Sequence, residues 1–164
     1  MKKIIFCIVF FIFATGCNNP VKTVAPILED IGFNLDVSYY NENYILKGET
    51  KEDDLSLTVT EPEELNGMEI TVNDGKLTLK YKELTYSPDG NELYGNIGLI
   101  IEDIFESAKK IKPEAKTDGN YIIKDTAEGK NYMFTFSPQG YPLKLEVNSE
   151  GFVAEFSNVT LKES

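Results

Sequence analysis

Few side chains in this sequence are suited to chemistry. It holds two cysteines, Cys7 and Cys17, and 27 acidic residues, with no histidine and no arginine among its 164 residues. Without histidine the commonest acid/base group at neutral pH and the commonest metal ligand are missing. Without arginine the bidentate binder of phosphate and carboxylate is missing as well. Ser/His/Asp and Cys/His catalysis are therefore excluded, and no glycine-rich phosphate loop is present. Carboxylates cluster at Glu52-Asp53-Asp54, at Glu61, Glu63 and Glu64, and in Asp89-Gly90-Asn91-Glu92. Calcium wants several oxygen ligands, but none of these clusters has the spacing of a calcium loop, and each reads as solvated loop charge. Glu102 and Asp103 do not face one another if helical, so they read as surface acids. No catalytic residue, metal site or cofactor is expected. A formal charge of −11 also argues against nucleic acid as a partner.

Cys17 is the exception. Lys2 and Lys3, the apolar run Ile4 to Phe13 and the small residues Ala14-Thr15-Gly16 before it are the three parts of an export signal. The run falls short of the roughly 20 apolar residues of a spanning helix. Ala14-Thr15-Gly16-Cys17 resembles a bacterial lipobox, which implies a signal peptide over 1–16 and a diacylated Cys17 as the membrane anchor. Ala14 and Gly16 also suit ordinary signal peptidase, which would leave Cys17 unmodified. Cys7 leaves with the signal, so the mature chain has no internal disulfide. The expected organisation is signal peptide 1–16, lipidated tether 17–31 and a single domain 32–164, at the extracytoplasmic face of the cell membrane. Plentiful Lys, Ile and Asn without Arg suggest an AT-rich genome and a Gram-positive source.

One segment has a helical period: in Asn96 to Lys112 the residues Ile97, Ile100, Ile101, Ile104, Phe105, Ala108 and Ile111 share a stripe. Pro113 ends it. Nearly everything else past residue 32 alternates with a period of two. Phe33 to Tyr39 and Tyr44 to Glu49 read as a hairpin around Asn41-Glu42-Asn43; Leu55 to Val59, Met68 to Val72 and Leu77 to Tyr81 come next, the last two joined by Asp74-Gly75. The parity shift at Leu84 suggests a bulge or a new short strand. After the helix, Tyr121 to Lys124, Tyr132 to Phe136, Tyr141 to Val147 and Phe152 to Phe156 make a second meander, with Val159 and Leu161 as a last edge. The class is α+β: an antiparallel sheet of about 8 to 10 strands in two halves, with one helix over its apolar face.

Leu55 to Tyr86 is also similar to the family of the periplasmic lipoprotein carrier and the outer-membrane lipoprotein receptor. The order strand, Pro62, Leu65, strand, Asp74-Gly75, strand, Tyr81 carries the resemblance. It implies an unclosed antiparallel half-barrel with the helix packed across the concave face, and a lipid- or acyl-binding role. In size, tether and fold the chain is similar to germination lipoproteins of spore-forming clostridia, one of which partners a cortex amidase.

The aromatic face of Tyr132, Phe134, Phe136, Tyr141, Phe152 and Phe156 is either packed core or, with Ile100, Ile104 and Phe105, the wall of an apolar pocket. Sequence does not set its volume. Two functions stay open: a membrane-anchored, non-enzymatic scaffold that binds an envelope protein, which is the first expectation, and a module that binds an acyl chain or lipid.

Overall fold

A computed structural model describes residues 24–88, 97–116 and 118–162. Eleven strands form one sheet: β1 Ile31–Tyr39, β2 Glu42–Lys51, β3 Asp54–Glu61, β4 Glu69–Asn73, β5 Lys76–Tyr81, β6 Leu84–Tyr86, β7 Glu114–Ala115, β8 Tyr121–Ala127, β9 Lys130–Phe136, β10 Pro142–Val147 and β11 Phe152–Leu161. The helix α1, Ile97–Ala108, stands between β6 and β7 in the chain. The order across the sheet is β6-β5-β4-β3-β2-β1-β11-β10-β9-β8-β7. Every pair is antiparallel, and the edges β6 and β7 do not pair with each other. The product is an unclosed half-barrel made of two meanders welded along β1 and β11. Short hairpins explain the topology. Tyr40-Asn41, Asp74-Gly75 and Glu128-Gly129 all have positive φ at both turn residues, the geometry whose twist matches that of paired strands.

The concave face is the core. Every second residue of β1, from Ile31 through Phe33, Leu35 and Val37 to Tyr39, is buried, as period two requires of a sheet with one face covered. The α1 stripe of Ile97, Ile100, Ile101, Ile104, Phe105 and Ala108 is buried against it, with β3 and β4 to one side and β8 to the other. The helix is shorter than the sequence period suggests. Lys109 N–H still donates to Phe105 O, but Lys110 and Ile111 donate to Ser107 and Ala108, three residues back. The last turn thus tightens before Pro113.

Other expectations are corrected. The strand count is 11, because β6 forms at the Leu84 parity shift and the two-residue β7 has no alternation to betray it. β11 is central, not a closing edge: it pairs with both β1 and β10 and runs on through Val159 to Leu161. Asn158, at φ 52°, lies where the β1–β11 register slips. An extra residue there flips the facing of every later residue in the strand, which from sequence looks like a new strand. A similar slip around Leu143 puts Pro142 inward and leaves Leu143 half-buried. The first hairpin turns at Tyr40-Asn41, one residue before the expected place. Finally, Leu28 is buried and Ile27 N–H donates to Gly140 O at 2.9 Å, so residues 24–30 lie against the sheet.

Candidate functional site

The two ends of the half-barrel differ. At one end the segment 24–30 crosses the β9–β10 turn, and Lys109, just past the helix, pairs with Glu29 and with Asp53 of the β2–β3 turn, each at 3.0 Å, and with Glu106. Burial disfavours the Lys109 ammonium, but its hydrogen bonds to Glu106, Glu29 and Asp53 outweigh this and raise its pKa. Helix end, N-terminal segment and turn are thereby tied together, and that end is filled.

The other end is open. A cleft of about 260 Å³ lies where α1 begins. Tyr39, Tyr40, Glu42 and Tyr44 of the first hairpin form one wall; Val59, Leu65, Met68 and Ile70 form the other, and Ile97 closes the floor. Local sequence explains each wall. Tyr39 is the last inward residue of β1, and its ring meets Phe152 edge-on at 5.7 Å, which fixes it. Its hydroxyl points to Glu150 Oε2 at 3.5 Å, and burial first, then Tyr40 and Glu150, push its pKa upward. Tyr40 takes a left-handed turn position, φ 50°, where bulky residues are rare, and its ring leans on Tyr39 at 4.4 Å while staying 68% exposed. Pro62 ends β3 and starts a single 3-10 turn, Glu63–Leu65, that delivers Leu65 to the cleft. Tyr81 Oη donates to Glu64 O at 2.7 Å and pins that turn.

A second hollow is polar. Glu102, Asp103, Glu106, Ser107 and Lys110 of the helix side face Asp125 and Glu128 across a groove of about 540 Å³. Here the expectation of surface acids needs correction, since Glu102 and Asp103 are both half-buried and both line this groove. Burial, with Asp103 and Glu106 nearby, raises the Glu102 pKa; burial chiefly raises that of Asp103. Ser107 Oγ and Tyr132 Oη share a hydrogen bond of 3.1 Å. No group of three metal-ligand side chains occurs among the described residues. Asp53 is taken by Lys109, and Asp54 accepts from Asn73.

The residues read as either packed core or pocket wall lie in the core cluster. Ile100, Ile104, Phe105, Tyr132, Phe134, Phe136, Phe152 and Phe156 are all buried in one cluster. Phe105 stacks on Phe134 at 5.6 Å, and Phe134 touches Phe136 at 4.3 Å and Phe156 at 5.8 Å. None of the eight lines the open cleft. Tyr141 is half-buried. Most cleft residues were read as inward positions of strands and helix, but nothing local in the sequence shows that Tyr39, Tyr40 and Tyr44 of one hairpin meet Leu65 and Met68 of another segment across an open cleft. Cys17 lies outside the described residues.

No protein-family model matches the chain. No curated protein matches it. Among solved structures it is similar to a LolA superfamily protein from Nitrosomonas europaea, with 12% identity, 86% of this chain and 90% of that chain covered and a TM-score of 0.46. It is also similar to a DUF1329 family protein from Desulfovibrio piger, with 11% identity, 80% and 85% covered and a TM-score of 0.43.

Proposed function

We propose that this chain is a non-enzymatic binding module, tethered to the extracytoplasmic face of the membrane by lipidated Cys17, that takes one apolar chain of a lipid into the cleft at the start of the helix. The cleft carries the reading. It is open, walled mainly by apolar and aromatic side chains, and placed at the mouth of a barrel, as ligand sites often are. At roughly 30 Å³ per water-sized group, about 260 Å³ holds about eight methylenes. Their transfer from water is worth about 6 kcal/mol at 0.8 kcal/mol each, before the cost of association. That supports reversible binding, in keeping with loading and release. Of the two functions left open by the sequence, the cleft favours the lipid-binding one; nothing comparable supports an envelope-protein scaffold.

Dodecyl maltoside, a neutral single-chain amphiphile below its micelle concentration, tests the cleft by calorimetry. Saturable one-to-one uptake is expected. Met68→Trp, at a half-buried wall position, should weaken it at least about tenfold with little change in melting temperature. Absence of uptake, or uptake indifferent to Met68→Trp, rejects the reading. The anchor is tested separately: Cys17→Ala should move the protein from the detergent phase to the aqueous phase, because stable attachment needs the two acyl chains. Wild-type protein already in the aqueous phase would favour ordinary signal cleavage.

A further inference from the structure

Resting on that reading of the cleft, we infer that its lipid carries an ammonium head group, held at the mouth by Glu42 and the tyrosine wall. The walls are not charge-neutral in their arrangement. Among the described residues that line the cleft, Glu42, at the first position of β2, is the one carboxylate, and none is a lysine. The turn that supplies Leu65 adds Glu63 and Glu64 beside the mouth, both exposed. The nearby lysines are occupied: Lys80 pairs with Glu69 at 3.2 Å, and Lys82 lies over the Tyr81 ring at 4.7 Å. A carboxylate or phosphate head arriving here would meet acid without a cation to receive it. An ammonium head meets the opposite: a carboxylate, and the exposed ring of Tyr40 with the half-buried Tyr44.

Aromatic rings attract cations through their quadrupole, and cages of them recognise quaternary ammonium groups. The Tyr40 ring rests on the buried Tyr39 ring, centroids 4.4 Å apart and inclined at 48°, so its outer face is the one turned to the mouth. That explains why a residue as large as tyrosine occupies the left-handed turn position at 40: the ring is set at the mouth, exposed, beside one fixed by Phe152. The alkyl chain then runs inward past Met68 and Ile70 toward Ile97, so chain and head are recognised by different parts of one cleft. The field of a chain with formal charge −11 adds to the preference.

Three dodecyl amphiphiles that differ only in head group separate these contributions: dodecyltrimethylammonium, dodecyl maltoside and dodecanoate, each below its micelle concentration. With Cys17→Ala protein, binding should be tightest for the ammonium head, about tenfold tighter than for dodecanoate. Glu42→Gln and Tyr40→Leu should each weaken the ammonium probe about fivefold more than they weaken dodecyl maltoside. Glu155→Gln, an exposed position on the outer face of β11, controls for the general field and should change little. Equal binding of the three heads, a preference for dodecanoate, or an ammonium preference that survives Glu42→Gln and Tyr40→Leu overturns the head-group assignment while leaving the apolar cleft intact. Failure of all three probes to bind overturns both.

Discussion

Gly48 shows how a residue with no side chain shapes the core. It sits opposite Phe33 across β1 and β2, and a Cβ built there would fall 2.1 Å from the Phe33 ring. The ring lies over the glycine and reaches Phe156 at 5.4 Å and Phe105 at 6.4 Å. Gly48→Ala should therefore cost about 1–3 kcal/mol, the usual range for overpacking, read as a lower midpoint in urea. Glu102 makes the opposite prediction. Its carboxyl holds a proton more tightly in the folded chain, chiefly through burial. As pH rises from the unfolded value of about 4.3 through the raised folded value, the native state gives up stability, because it must ionise a half-buried acid. Glu102→Gln should raise the melting temperature at pH 7, and the gain should vanish below about pH 3.5, where the acid is protonated in both states. A gain that persists in acid would mean that the effect is packing rather than charge. Nothing in the sequence distinguished Glu102 from a solvated acid; its burial comes from tertiary packing, with Asp53 of the distant β2–β3 turn close to it.

At the scale of elements, the hydrophobic period was the reliable signal and parity the deceptive one. The helix stripe and nine of the strands are legible as alternation, since burial on one face forces it; β6 and β7 are too short and exposed to show it. Bulges are where reading fails: Asn158 and Leu143 each shift the register by one residue, and a shift of one reverses every facing beyond it. The aromatic face illustrates a different gap. Its inward direction was legible, but whether Phe134 and Phe136 border a void or each other depends on how deeply Phe105 reaches, and three-dimensional packing alone decides that. The helix is the cover of the sheet, so Ile104, 1% exposed, is a sensitive position. Ile104→Asp should cost several kcal/mol by placing an unpaired charge in the core, while Lys110→Ala at an exposed position should stay within about 0.5 kcal/mol. Comparable losses from both, in denaturant unfolding, would contradict a buried stripe. Glu106 is a poorer control because it holds Lys109.

Taken whole, the molecule divides its ends between two tasks. The segment 24–30, the Lys109 ion pairs and Leu28 fill one end, and the cleft opens at the other. The cause is the β1–β11 weld: joining the meanders along their first and last strands places the start of the domain beside β11's end, while the β1–β2 turn projects at the far side with its tyrosines. The polarity of the fold thus puts the segment 24–30 and the apolar mouth at opposite poles. Apart from Met1, the chain's methionines are Met68, in the cleft wall, and Met133, half-buried on the other face of β9. Methyl-labelled methionine therefore gives one reporter inside the cleft and one outside it. Titration with dodecyl maltoside, monitored by NMR, is expected to shift the Met68 methyl resonance saturably and leave Met133 in place. A Met68 resonance that does not move, or that moves no more than Met133, would contradict the claim that this cleft receives an apolar chain.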